Sequence, residues 1–381
     1  MKHPRRNLLA LALFAPVAFA AIGCGGIATP QGWASPTFDA EAGLLLASHR
    51  DDLFAFDPET FRPKWAFPPQ EPKIDKVVAL YGTPAIVGTS AFIPTYDGHV
   101  YAVSTESGDL LWSQPFDAGD AIIGGIAADA VTGAVASDDA AIYFGTDGGN
   151  VYAVSQETGE ALWQRPFKAD EKIWSRPAVA GDALYVTSLD SKLYVLDRAA
   201  GTERDSFKTD AGIAADPVVD EENGLVYIGG FDGQLRAIDI DTFEELWSIK
   251  TDNWFWATPL LADGVVYAAG LDKSVYALDA KTGDLKWQQP FEAKGPVRAA
   301  PVLVRGMLIV ADKDARVYAL DPATGAPSPA SPLDLGGDAL ADPLALGAAP
   351  EENVVIVTTN KQLTVFDPET LRIVREIRLG S

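Results

Sequence analysis

The 381-residue chain holds one cysteine, Cys24, three histidines and two methionines. A single cysteine excludes an intrachain disulfide, a thiolate zinc cage and a cysteine-ligated cluster. Three histidines leave little for imidazole chemistry. His49 and His99 fall in or beside turns, where a histidine is an ordinary surface residue, and no Gly-x-Ser-x-Gly context supports a His-based hydrolase. Basic residues are also scarce, 30 against 53 acidic ones, for a net charge of −23. Nucleic-acid binding needs clustered Lys and Arg and is excluded as a class. An anionic lipid surface would repel the body. No segment carries a sustained helical period. What is abundant is apolar residues, 48% of the chain, so the chain is globular with ample core.

The first residues read as an address. Lys2, Arg5 and Arg6 precede an apolar stretch from Leu8 to Ala21 that contains Pro16. It is too short and too early to span a bilayer and fits an export signal over residues 1–23. Arg5-Arg6 followed by Leu8-Leu9 loosely resembles a twin-arginine signal. The run ends Ala21-Ile22-Gly23-Cys24, which resembles a bacterial lipobox with Ala21 where that motif prefers Leu. The resemblance implies acylation of Cys24 as the first mature residue; the alternative is ordinary cleavage near Ala20. Removing the signal takes the net charge from −23 to −26, which keeps a tethered body soluble. Residues 24–32, small and polar, read as a flexible tether, and 33–381 as the folded body.

That body is a repeat. Tyr101-Ala102-Val103-Ser104 leads to Gly108 and Trp112; Tyr152-Ala153-Val154-Ser155 to Gly159 and Trp163; Tyr276-Ala277-Leu278-Asp279 to Gly283 and Trp287. Phe54-Ala55-Phe56-Asp57 leads to Trp65 and Arg236-Ala237-Ile238-Asp239 to Trp247, with Phe61 and Phe243 in the glycine place. Three further copies begin at Tyr194, Tyr318 and Thr364 and carry Asp205, Pro329 and Arg375 where Trp would stand. A period of roughly 40 to 50 residues is that of propeller blades. Each copy reads as four short strands. A Pro opens the first, and the fourth begins at the Trp. Asp97-Gly98, Asp147-Gly148 and Asp232-Gly233 mark the central hairpins, dipeptides favoured by type I′ turns. A lone four-stranded blade cannot bury both faces, whereas eight arranged radially can. The expected fold is therefore all-β, an eight-bladed β-propeller of four-stranded antiparallel blades. Trp65, Trp112, Trp163, Trp247 and Trp287 are expected to lie against the next blade, each buried ring worth about 2–3 kcal/mol.

The string Tyr-Ala-Leu-Asp-x-x-Thr-Gly-x-x-x-Trp resembles the tryptophan-docking repeat of the pyrroloquinoline-quinone (PQQ) propeller superfamily, from about Trp33 to Leu379. Two branches bear on function. Quinoprotein dehydrogenases hold PQQ and calcium in the central funnel; the alcohol-oxidising type places a disulfide of adjacent cysteines over the quinone, which this chain cannot make, and its near-minimal blades leave little room for the added calcium-binding segments. The BamB family of outer-membrane assembly lipoproteins resembles the chain in length, in the anchor, and in having eight repeats and little else. That resemblance implies a non-enzymatic, lipid-anchored scaffold on the cell envelope, with no cofactor and a β-barrel assembly protein as partner. On an envelope with an outer membrane, the anchor would sit on its periplasmic face. A quinone-binding enzyme or sensor and a carbohydrate- or polymer-binding surface protein are the alternatives.

The candidate site is a column of aromatics three residues before each opening Pro: Trp33, Tyr81, Trp174, Ala214, Trp256, Arg298 and Leu340, the third copy lacking the Pro. Trp254 and Phe255 extend it, and Lys172, Arg176 and Asp252 stand beside it. Trp, Tyr and Arg dominate binding hot spots. Trp174, Arg176, Trp254, Trp256 and Arg298 are the partner-binding candidates; the alternative is inter-blade packing. BamB-type propellers are expected to meet the barrel protein through loops of this kind, with Ile173-Trp174-Ser175-Arg176 a loose counterpart of the contact loop. The turn aspartates Asp97, Asp147, Asp190, Asp232, Asp272 and Asp314 are expected to serve turn geometry, not a metal.

Overall fold

Every repeat folds into one four-stranded antiparallel sheet whose strands pair in chain order. The structure, a computed structural model, describes residues 32–69, 77–129, 140–347 and 352–380. The export signal, Cys24 and nearly all of the tether lie outside the described residues. Eight blades run over residues 37–67, 85–117, 127–168, 178–208, 218–250, 260–292, 302–334 and 344–378, and no helix occurs among the described residues. The short opening strands form the innermost ring, Thr37–Asp39 lying beside both Ala85–Val87 and Leu344–Leu346. The ring thus closes without strand exchange: blade 1 takes all four strands from the start of the body and blade 8 all four from its end.

The core is divided among the junctions. One apolar layer sits between each pair of neighbouring blades, including blades 8 and 1, where Leu45, Ala47 and Phe56 meet Val355, Leu363 and Val365. The alternation along second and third strands sends one set of side chains to each neighbour. Tyr143 and Val151 pack toward blade 4, while Ile142 and Val154 pack toward blade 2.

The repeated tryptophans lock these layers at the rim. Each indole Nε1 donates to a backbone carbonyl of the next blade: Trp65 to Thr105 at 2.9 Å, Trp112 to Gln156 at 3.0 Å, Trp163 to Arg198 at 3.0 Å, Trp247 to Ala280 at 3.0 Å and Trp287 to Pro322 at 2.9 Å. All five rings are buried. Each lies on the turn glycine of that next blade: a Cβ on Gly108, Gly159, Gly201, Gly283 or Gly325 would fall within 2.4–2.8 Å of indole atoms, and all five glycines have φ between +68° and +76°. The glycine that a Trp requires therefore sits in the following repeat, not in its own. Where the Trp is missing, so is the opposing glycine. Asp205 faces the junction with Phe243, Pro329 that with Leu371, and Arg375 that with Phe61; these three large residues hold the same left-handed backbone, with φ of 56°, 52° and 57°. Phe243, Leu371 and Phe61 each pack into the apolar layer at their junction. At ring closure the Arg375 guanidinium lies 5.4 Å from the Phe61 ring centroid.

Two expectations on local structure are corrected. The fourth strand does not always begin at the Trp. In blades 2, 3, 6 and 7 it shrinks to Phe116–Asp117, Phe167–Lys168, Phe291–Glu292 and Leu333–Asp334. Pro115, Pro166, Pro290 and Pro332 stand just before these pairs, and proline cannot donate to a ladder. Blades 4, 5 and 8 lack that proline, and in blade 1 Pro68, three residues after Trp65, follows the pairing residue Phe67 and does not precede it. These four carry outer strands of five or six residues, each with one β-bulge where it leaves the third strand. The central hairpins are also not type I′. Thr95 N donates to His99 O and Gly98 N to Thr95 O, enclosing a three-residue loop with one left-handed residue, Gly98, at φ 89°. Gly149 and Gly233 take that place in blades 3 and 5, and Ser191, Lys273, Ala315 and Lys361 in blades 4, 6, 7 and 8. Blade 1 differs, with a two-residue loop between the paired His49 and Asp52 whose first residue, Arg50, is left-handed at φ 60°. The Asp of a three-residue loop keeps negative φ and uses its carboxylate instead.

Candidate functional site

In a four-stranded meander the hairpin between strands two and three and the link to the next blade emerge at the same end. The aromatic column and the hairpin tips therefore share one mouth of the ring. The link has a fixed form: a buried apolar residue, the column residue, a small buried residue, then a residue at the head of the innermost strand. The small places are Ala34, Gly82, Gly124, Ser175, Ala215, Ala257, Ala299 and Ala341. Backbones approach closely there, since a Cβ on Gly82 would lie 2.3 Å from Gly124 O and one on Gly124 2.4 Å from Ser175 O. The third copy is thereby aligned, with Ile123 in the column and Ile126 in the place of Pro.

Four of the five candidates meet on one side of the mouth. The Trp174 and Trp256 rings, two blades apart, approach to 6.2 Å. They meet because the intervening column residue is Ala214, buried and too small to separate them. Trp256 also stacks on Phe231 at 5.3 Å, and Phe231 stacks on Trp254 at 4.8 Å. The Arg298 guanidinium lies over the Trp256 ring, 4.4 Å from its centroid. A layered column thus runs Trp254, Phe231, Trp256, Arg298. Trp254 is 43% exposed, while Phe255 between the two tryptophans is buried in the core. Phe231 was missed by sequence reasoning; it sits at the tip of the blade 5 hairpin, immediately before Asp232-Gly233, and only the pairing of hairpin tips with column residues exposes it. On the other flank Trp174 Nε1 donates to Asp147 Oδ1 at 2.7 Å and Lys172 Nζ to Asp147 Oδ2 at 2.8 Å. A second aromatic group, Trp33 on Tyr81 at 4.3 Å and Tyr81 on Tyr96 at 5.0 Å, lies at blades 1 and 2. Leu340 lines a small cavity together with Trp33 beside that second group.

Arg176, the fifth candidate, belongs to the throat below. Its amide donates to Asp216 Oδ1 at 2.7 Å and its Nε lies 3.4 Å from Asp216 Oδ2. Across the ring, Asp342 accepts from the Ala300 amide at 2.6 Å and from the Ser35 hydroxyl at 3.1 Å. Burial pushes the carboxyl of Asp216 above the usual range, and the Arg176 charge pulls it back. Burial likewise raises Asp342, the Ala300 amide opposes this, and the Asp216 charge adds to it. The throat is thus polar and carries one cation between two deep carboxyls.

The turn aspartates have local partners. Asp190 and Asp272 accept from Tyr194 and Tyr276 of their own blades at 2.6 and 2.7 Å, and Asp232 from Arg236 at 2.5 Å. Asp314 lies 3.0 Å from Arg316, and Asp97 lies 3.2 Å from His99 Nδ1. Among the described residues no cluster of His, Cys, Asp or Glu has metal-ligand geometry.

A family profile described as outer membrane protein assembly factor BamB matches residues 27–173, 97–210, 147–253 and 204–376 in overlapping frames. The chain belongs to the BamB family. BamB from Yersinia pestis is 22% identical over 220 residues, covering 54% of this chain and 56% of that one. BamB from Burkholderia pseudomallei is 29% identical over 195 residues, covering 49% and 46%. The chain thus spans about half the length of the curated relatives it matches. The crystal structure of BamB from Moraxella catarrhalis has the same fold, with a TM-score of 0.65 at 18% identity over 78% of this chain and 88% of that one.

Proposed function

We propose that this protein is a non-enzymatic scaffold of the cell envelope, exported, anchored through acylated Cys24, and engaged in outer-membrane protein assembly. One observation carries the reading: the mouth of the ring presents a stack of aromatic rings ending in an exposed Trp254, built from two links and a hairpin that the blade fold does not need for its own packing. Large, rigid aromatics beside arginine suit a protein partner. Family membership supplies the kind of partner, a β-barrel assembly protein. The acidic body suits a protein held off an anionic bilayer by its tether.

In-cell photo-crosslinking tests this. A crosslinker placed at Trp254 should capture a barrel-assembly protein carrying periplasmic repeats, and one on the opposite mouth, at Asp182, should not. Trp174→Ala should reduce the capture without changing the protein's abundance. Absence of any dominant product from position 254, or equal capture from 182, overturns the reading.

A further inference from the structure

Arg298 is anomalous for this chain. Every other half-buried or buried arginine among the described residues has a carboxylate: Arg198 with Asp129, Arg236 with Asp232 and Glu245, Arg305 with Asp367 and Glu369, and Arg316 with Asp312 and Asp314. Carboxylates outnumber cations by 53 to 30, so a partner is easy to supply. Lys172, on the other flank of the stack, has Asp147, and Arg176 in the throat has Asp216. Arg298 has neither an ion pair nor a hydrogen bond among the described residues. Its one contact of note is the Trp256 ring, which holds the guanidinium plane in place and leaves its five N–H donors uncommitted. Burial alone lowers its pKa, with no charge nearby to offset it. A guanidinium fixed in this way, at the end of an aromatic stack and in a body of opposite net charge, is a preformed receptor for one carboxylate flanked by apolar surface.

Resting on the scaffold reading above, we propose that Arg298 and the Trp256–Phe231–Trp254 stack recognise an Asp or Glu side chain carried next to an aromatic residue on an extended segment of the partner. The carboxylate takes the bidentate edge of Arg298, and the neighbouring ring extends the stack. Association then has an attractive contact that the acidic remainder of the surface denies to acidic segments elsewhere, so the same pair sets register as well as affinity.

The test uses the full chain and an end-blocked pentapeptide, Gly-Phe-Glu-Phe-Gly, titrated by calorimetry against its Gln counterpart in low and physiological salt. End-blocking removes the terminal carboxylate as a source. The Glu peptide should bind at least fivefold more tightly than the Gln peptide, with the difference shrinking in salt. Arg298→Gln should abolish that difference, and Arg298→Lys, which keeps charge but not the planar fork, should retain only part of it. Equal binding of the two peptides, no binding of either at millimolar concentration, or a preference that survives Arg298→Gln overturns the proposal. Circular dichroism of each variant reports folding separately. The peptide readout does not involve the envelope partner, so its failure leaves the crosslinking result standing, and a failed crosslink leaves the peptide result standing.

Discussion

The pairing of each rim Trp with a glycine of the next blade can be tested by moving one junction's solution to another. At the junction of blades 3 and 4, Trp163 lies on Gly201; at that of blades 4 and 5, Asp205 faces Phe243. Gly201→Phe alone would drive a Cβ to 2.4 Å from the Trp163 ring at a backbone φ of +68°. Overpacking costs about 1–3 kcal/mol and the left-handed conformation about 1 kcal/mol more. Trp163→Asp alone removes a buried indole and its bond to Arg198 O, worth about 3–5 kcal/mol. If the two changes acted independently, the double variant would lose the sum, of the order of 5–9 kcal/mol. The Phe243 precedent says otherwise: the introduced phenyl ring would turn into the slot the indole leaves, and the double variant should recover about 1–3 kcal/mol of that sum. Urea unfolding of the four proteins, followed by far-ultraviolet circular dichroism, gives the cycle. A double-variant loss equal to the sum of the singles within about 0.5 kcal/mol would refute the complementarity.

Three further outcomes are expected. Arg236 replaces the repeat Tyr, and its Nη1 is buried without a partner; Arg236→Tyr should unfold at an equal or higher urea concentration, whereas Arg236→Ala, which strands Asp232, should lose about 3–5 kcal/mol. Asp342 is held above the usual carboxylate range by burial, so the native state takes up its proton before the unfolded chain does, and its contribution to stability falls as pH rises through the folded-state value. Asp342→Asn, which can keep the bonds to Ala300 N and Ser35 Oγ, should therefore gain on wild type as pH rises above the ordinary carboxylate pKa and lose that advantage in acid; a pH-independent gap would contradict this. Added PQQ with calcium should leave the melting temperature unchanged; a saturable rise, equivalent to about 2.7 kcal/mol at a hundredfold excess over Kd, would instead mark the mouth as a quinone site.

Blade number, third strands and rim tryptophans were legible because each copy obeys the same local chemistry: a hairpin, a Tyr or its substitute, and a Trp at fixed spacing. The reading failed where a rule acts between copies. Within one repeat, Phe61, Phe243 and Leu371 are merely odd residues in a glycine place; against the preceding repeat, they answer Arg375, Asp205 and Pro329. The outer strands are overextended in the sequence reading because an indole at the head of an apolar run suggests a strand continuing from it, while Pro115 and its equivalents stop the ladder after the indole. At the mouth, the column of Trp174, Trp256 and Arg298 was legible from alignment on proline. Phe231 was not, because it comes from a hairpin and joins the column only when the meander brings strand-two turns to the same end as the links. Arg176 was grouped with the aromatics by sequence proximity, but two residues along this link is the distance from mouth to throat.

The outer wall repeats on a longer period than the blade. Blades 1, 4, 5 and 8 have unbroken outer strands with a bulge, and blades 2, 3, 6 and 7 have the proline-clipped ones. The phenylalanines in the glycine place, Phe61 and Phe243, stand at the start of each set of four. The ring is therefore pseudo-twofold, two half-rings of four blades related by half a turn. The mouth does not share this symmetry. Half a turn carries Trp256 onto Tyr81, Trp174 onto Leu340, and Arg298 onto Ile123. The outer strands thus follow a twofold frame that the rim keeps at every junction but one, Trp163 on Gly201 being replaced half a turn away by Pro329 and Leu371. The mouth does not keep it, and the two halves of one propeller present different surfaces at the same end.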